Sequence, residues 1–215
     1  MTTPTKGSIL RTDTLSFLDF IRYPDIAIPE GGTTFISGES GTGKSTLLRL
    51  YNNSLAASSG SVYYRGTDIL AIDPVELRRS VLLAGQSTFL FDDTIAGNFA
   101  QFFNYRDEAV PGINVIEECL SICCLDFSPD VDCSTLSGGE RQRVYLALFL
   151  AMGSDILMLD EPTSALDAGN GRKVMENIST CCRNNGRTLI VVSHDESLID
   201  RFAEHRVILS GKGQA

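Results

Sequence analysis

Residues 38–45 constrain this chain more than any other feature. Gly38-Glu39-Ser40-Gly41-Thr42-Gly43-Lys44-Ser45 fits the pattern G-x-x-x-x-G-K-[ST]. The run Thr33-Thr-Phe-Ile-Ser37 before it is β-prone, and Ser45 to Leu55 after it reads as a helix. A strand feeding a helix through such a loop lets backbone N–H groups converge on phosphate oxygens without Cβ clashes. The helix start adds the positive end of its dipole. In this pattern Lys44 reaches the β- and γ-phosphates of a nucleoside triphosphate, Ser45 Oγ ligates Mg2+, and Thr46 extends the cradle. The other reading is a plain glycine-rich turn before a helix; the strand on its upstream side argues against it. A loop of this kind demands an α/β sheet architecture.

The remainder of the chain alternates in the same way. Ser61–Tyr64 and Val81–Ala84 read as strands. From about Thr94 to Cys124 the pattern is helical, interrupted at Pro111-Gly112. Residues 87–135 are therefore expected to form a helical subdomain inserted in one domain spanning 1–215. Ser137 opens a helix towards Met152, and Asp155–Asp160 is a strand whose unbroken Ile-Leu-Met-Leu suits a buried parallel sheet. A helix around Gly171–Arg183, a strand at Thr188–Val192 and a last strand at Arg206–Leu209 follow.

Composition removes several function classes. At 43% hydrophobic and 21% charged, the 215 residues can bury a core, which excludes intrinsic disorder. The net charge of −9 argues against a nucleic-acid partner, which calls for a basic face. The longest apolar run, Val144–Met152, is too short for a bilayer, where about 20 residues are needed. Residues Met1 to Gly7 lack the apolar stretch of an export signal. The six cysteines then read as reduced cytosolic thiols. Cys119 and Cys123 stand i, i+4 on a helix and suit a soft metal, but small buried thiols are the plainer reading.

A second acidic feature matches the first. The strand at 156–160 ends in Asp160-Glu161. Phosphoryl transfer needs acids at a strand's carboxyl end. Asp160 would hold Mg2+ through water, and Glu161 would polarise the attacking water. Alternatively, the pair caps the next helix.

Leu136-Ser137-Gly138-Gly139-Glu140, followed by Arg141-Gln142-Arg143, carries the sharpest signal. It resembles the signature motif of ATP-binding cassette (ABC) ATPases. The resemblance covers about residues 8–210 and implies a P-loop NTPase fold: a RecA-like core, a small antiparallel β subdomain and a helical signalling subdomain. It implies ATP and Mg2+ as cofactors. It also implies a homodimer that sandwiches two ATPs, with Ser137, Gly138 and Gly139 acting on the partner's nucleotide. Gln86 resembles the Q-loop glutamine that touches Mg2+ and water, Ser164-Ala-Leu-Asp167 the D-loop at the dimer interface, and His194 the switch histidine at the γ-phosphate. Together with Lys44 and Glu161, Gln86 and His194 are the expected catalytic residues. Adenine is usually stacked on an aromatic upstream of the loop, for which Phe17, Phe20 and Tyr23 are the candidates; each is equally readable as core.

Beyond Gln86 the run Ser87-Thr-Phe-Leu-Phe91-Asp-Asp-Thr94-Ile-Ala-Gly-Asn98 is similar to a segment of ABC exporters that meets the membrane partner. Phe89, Leu90, Phe91, Phe99, Phe102 and Phe103 would either line an apolar groove there or fill the helical core; two or three exposed and the rest buried is the expectation. The chain looks most like the stand-alone ATPase subunits of bacterial iron exporters. That resemblance implies an exporter of iron or another metal, a separate integral membrane subunit, and a cytoplasmic site on the inner face of the cell membrane. The alternative is a soluble ABC ATPase in a non-transport process.

Overall fold

Residues 7–18 and 20–210 are described by a computed structural model. The residues before Gly7, expected to carry no export signal, lie outside the described residues. Among the described residues the chain divides into two units: one within residues 7–83, 154–161 and 182–210, the other of residues 84–153 and 162–181.

The first unit holds two sheets. In the antiparallel one, β1 (Ser8–Phe17) pairs with β2 (Ile21–Arg22), β3 (Ala27–Pro29) and β5 (Ser59–Tyr64), and β5 pairs with β6 (Thr67–Asp68). Ile9, Leu10 and Leu15 of β1 are buried in a cluster with Ile28, Val62 and Tyr64.

The second sheet has the order β10–β4–β9–β8–β7, from β4 (Thr33–Gly38), β7 (Val81–Ala84), β8 (Ile156–Asp160), β9 (Thr188–Val192) and β10 (His205–Leu209). The pairs β10–β4, β4–β9 and β8–β9 are parallel. Every residue of β8 and β9 is buried, as parallel strands covered on both faces should be. The register sets Ile36 beside Val192 and Val192 beside Asp160. Gly38, Glu161 and His194 thus emerge from adjacent strands at one edge of the sheet, where ligands of open α/β sheets sit.

Between the sheets' strands run α1 (Lys44–Tyr51), α2 (Pro74–Ser80) and α7 (Glu196–Phe202). Asp73 and Asp195 cap α2 and α7 by accepting from two backbone N–H groups each. Neither short helix stands out as a periodic pattern in the sequence. The helix expected over 45–55 stops at Tyr51, because Asn52 leaves helical geometry and its N–H bonds Leu50 O.

The second unit is helical: α3 (Ile95–Tyr105), α4 (Ile113–Ile122), α5 (Gly138–Ala151) and α6 (Ala168–Asn184) as far as Cys181. Pro111-Gly112 separates α3 from α4, and Gly112 is the residue before the first turn of α4. This unit is wider than residues 87–135, because α5 and residues 162–181 belong to it. Asn98 is fully buried; its Nδ2 donates to Phe91 O at 3.2 Å and Thr94 O at 3.0 Å, and its Oδ1 accepts from Phe91 N at 2.8 Å. One buried amide therefore fixes the phenylalanine-rich loop onto α3.

Of that loop's apolar residues only Phe89 is exposed, at 57%. Phe91 and Phe102 are half-buried, and Leu90, Phe99 and Phe103 are buried. This is fewer exposed than expected, because the rings satisfy one another: Phe91 meets Phe89 edge-on at 4.9 Å and Phe102 at 5.6 Å, and stacks on Tyr105 at 6.1 Å. Tyr105, absent from the expected set, is 81% exposed and extends the aromatic surface.

Candidate nucleotide site

The loop between β4 and α1 has the backbone its sequence demands. Gly38 has φ 144°, and a Cβ there would collide with Leu209 O. Gly43 takes the left-handed conformation at φ 93° as the residue before α1. No side chain caps α1 at that position, so its first N–H groups face outward from a bare start. Glu39, Ser40 and Gly41 are exposed at the rim, and Thr42, Ser45 and Thr46 are half-buried. Thr42 Oγ1 donates to Glu39 O at 3.0 Å and tightens the loop.

Lys44 is 7% exposed, and its Nζ donates to Gly38 O at 2.8 Å and Glu39 O at 2.9 Å. Burial pulls its pKa down, opposed by the charges of Glu161 and Asp160. Cation and acids are close enough to influence one another across the site. Asp160 is 5% exposed, and its Oδ1 is shielded from solvent with no hydrogen-bond partner among the described residues. A buried carboxylate oxygen left unpaired is costly, and a divalent cation is the partner whose chemistry it fits. The Asp160 carboxylate therefore suits a divalent cation such as Mg2+.

Glu161 stands at the turn after β8 with φ 54°, a left-handed backbone rare for a residue with a side chain. Its N–H donates to Val192 O at 3.0 Å, which holds that turn. Its Oε1 lies 3.3 Å from His194 Nε2. Burial raises the Glu161 pKa; the neighbouring Asp160 adds to this, while His194 and Lys44 lower it. A carboxylate with a raised pKa is a stronger base once ionised. The reading of Asp160 and Glu161 as mere helix caps does not fit this burial.

Tyr23 is corrected as an adenine contact. It is 6% exposed within the core cluster, and its hydroxyl donates to Gly43 O at 3.0 Å. Burial pushes its pKa up to about 12, opposed by a hydrogen bond with Thr46. At this burial and with its hydroxyl on Gly43 O, the ring underpins the loop. Phe17 is half-buried against the same cluster, and Phe20 is 54% exposed. The sequence offers no sign of Tyr23's role, since the Gly43 contact spans the β1–β3 sheet and the loop.

Gln86 and the Ser137 motif belong to the second unit. Gln86 is exposed just beyond β7. Ser137 and Gly138 are exposed and Gly139 half-buried at the start of α5. Ser137 and Glu140 form a reciprocal cap: Ser137 N and Oγ each donate to Glu140 Oε2, at 2.8 and 2.7 Å, and Glu140 N donates to Ser137 Oγ at 3.4 Å. These bonds hold the Glu140 carboxyl below the usual range. Asp167 likewise caps α6, accepting from Gly169 N and Asn170 N at 3.0 Å each.

Comparison with known proteins identifies the family. The family described as ABC transporter matches residues 22–164, well over half of the chain. The chain belongs to this family. This ABC cassette has the mixed α/β fold of the P-loop NTPases and is an ATPase domain by descent. Protein STAR1 of Oryza sativa is 36% identical over 187 residues, which cover 86% of this cassette and 54% of that protein. An ATP-dependent lipid A-core flippase of Sodalis glossinidius is 34% identical over 198 residues, 87% of this cassette and 33% of the flippase. The cassette thus spans about half or less of these two relatives. Phosphonates import ATP-binding protein PhnC 2 of a Synechococcus species is 31% identical, covering 93% of this cassette and 81% of that protein. Among solved structures, the dimeric post-hydrolysis state of the ATP-binding cassette MJ0796 bound to ADP and Pi superposes with a TM-score of 0.81 at 27% identity, covering 93% and 94% of the two chains. A bacterial Atm1-family ABC exporter with ATP bound shares the fold, with a TM-score of 0.83 at 24% identity over 97% of this cassette and 38% of that chain.

Proposed function

We propose that this ABC ATPase binds and hydrolyses Mg2+-ATP as a head-to-tail pair, and that the pair drives an exporter through a separate integral membrane subunit. The observation that carries the reading is the set of Lys44, Asp160, Glu161 and His194 around the glycine loop at one sheet edge. Lys44 and the bare start of α1 bind the phosphates and orient the γ-phosphate. Ser45, Asp160 and Gln86 would hold the cation, which when bound would supply charge neutralisation on the phosphate oxygens. Glu161 takes the proton of the attacking water, and His194 orients that carboxylate at 3.3 Å. Phe17 or Phe20 faces adenine. Ser137, Gly138 and Gly139 act on the nucleotide of the partner copy.

The aromatic surface of Phe89, Phe91 and Tyr105 supports docking of a membrane subunit, as does the relative named a lipid A-core flippase. No helix among the described residues is long and apolar enough to cross a membrane. In this reading a membrane subunit would supply both the passage and the choice of cargo, for which iron or another metal is the candidate, and would hold the cassette on the inner face of the cell membrane. Affinity capture of the full chain from its native membranes tests this. A multi-span protein should co-purify, and Phe89→Asp should abolish the association. Recovery of ribosomes or DNA instead would replace the transporter reading with a soluble one.

A further inference from the structure

The three residues after the Ser137 motif anchor the start of α5 on separate sides. Arg141 Nη1 donates to Cys133 O at 2.6 Å, and Arg143 Nη1 to Cys124 O at 2.7 Å. Gln142 differs from both because its polar end is buried: it is 5% exposed. Its Oε1 accepts from Ala165 N at 3.1 Å, and its Nε2 lies 3.4 Å from Ser164 Oγ. Gly139, one turn earlier on the same helix, closes on the same segment: a Cβ there would lie 3.0 Å from Ala165 O. A leucine would fill Gln142's volume without burying a polar amide. The amide instead makes the backbone of residues 164–165 part of the helix start.

We propose that Gln142 is a positioning residue for the nucleotide site of the partner copy. It locks residues 164–167 to the first turn of α5, so that Ser137–Gly139 and the Ser164–Asp167 segment reach the partner as one preformed surface. The inference rests on the paired-cassette reading above. Preorganisation of this kind lowers the ordering cost of association without adding a contact to the ligand. Gln142 should therefore govern pairing and turnover, and leave the Lys44 cradle of its own chain untouched.

The test uses the full chain carrying Glu161→Gln, with glutamine, leucine or glutamate at position 142. Glutamate keeps an acceptor for the Ala165 N–H, and the Ser164 hydroxyl can donate to it; leucine does neither. The readouts are ATP-driven dimerisation by sedimentation, ATP affinity of the monomer, and the thermal midpoint. Gln142→Leu should weaken the ATP-bound dimer by about five- to tenfold, the loss expected when the part-buried hydrogen bond from Ala165 N is removed. Gln142→Glu should restore it to within about threefold. Monomer ATP affinity should stay within about twofold for all three. Dimerisation of Gln142→Leu at the parent strength would overturn the inference. So would a parallel loss of monomer affinity, or failure of Gln142→Leu to fold, since either assigns Gln142 to the fold alone. If the parent itself stays monomeric with ATP, the paired-cassette reading falls and this inference falls with it.

Discussion

The two glycine-flanked helix starts of this cassette look alike in sequence and differ in chemistry. At α1 the preceding residue is Gly43 with a left-handed backbone, and no side chain returns to the first N–H groups. At α5 the preceding residue is Ser137, and the Glu140 carboxylate has already taken its N–H and its hydroxyl. The first start is left open to an anion from outside; the second is satisfied by its own chain. Glycine content near a helix start therefore says little about readiness for phosphate. What matters is whether a nearby side chain can complete the cap.

The largest expected effect lies at the edge that serves the open start. Glu161→Gln should retain ATP binding and slow phosphate release by about 10²–10⁴-fold, since an amide cannot take the proton. Release at the wild-type rate would remove Glu161 as the base. Lys44→Ala comes next. It removes a charged donor from the phosphates, and ATP affinity in a nucleotide titration should fall by about 2 kcal/mol, roughly thirtyfold. An unchanged affinity would mean that the bare helix start binds without help from the side chain.

Acid should separate the two starts as well. Burial raises the Glu161 pKa, so the base is lost at a higher pH than an ordinary glutamate would be. The acid limb of kcat should sit above the usual carboxylate range. His194→Ala removes the charge that lowers this pKa, and should move the limb further up. A limb that stays in place would detach His194 from the base. Glu140 is shifted the opposite way, below the usual range, so its cap should persist down to more acid pH than the base survives. The smallest effect is that of Glu140→Gln. Replacing the carboxylate by an amide at the start of α5 leaves a cap but removes a negative charge from where a γ-phosphate would approach. ATP-driven dimerisation should tighten by about threefold, most visibly at low salt. Weakening instead would show that the carboxylate helps the shared site.

Much of this site is legible in the sequence because it depends on local order. Gly38 to Ser45 encode their own turn, and the unbroken apolar runs of β8 and β9 announce buried strands that deliver Asp160 and His194. Tyr23 was not legible, because its fate depends on β1–β3, a sheet of short strands with long-range pairings. Composition could not tell a ring that underpins a loop from one that receives a base. The antiparallel sheet itself was expected, but of its strands only Ser61–Tyr64 could be located from pattern. The helices α2 and α7 were not found at all, since 7 residues each give too few turns to show a period. Gln142's partners lie over 20 residues away, and nothing in the spacing of Arg141-Gln142-Arg143 distinguishes the buried amide from its half-buried neighbours.

The pairing of Asp160 with Val192 has a consequence for how the protein matures. Side chains alternate faces along a strand, so a one-residue slip of β8 against β9 would send every side chain of β8 to the opposite covered face and carry the acids away from His194. Apart from Asp160 and Thr188 at their ends, both strands are apolar, and neither offers a polar face to penalise the slip directly. The glycine loop, the left-handed turn at Glu161 and the bond from its N–H to Val192 O act as a latch at one end, so the chemistry and the alignment are checked by the same residues. A misaligned molecule should then be silent rather than sluggish. In a refolded preparation, errors of alignment would appear as a reduced count of active sites per chain, with each remaining site turning over at the full rate.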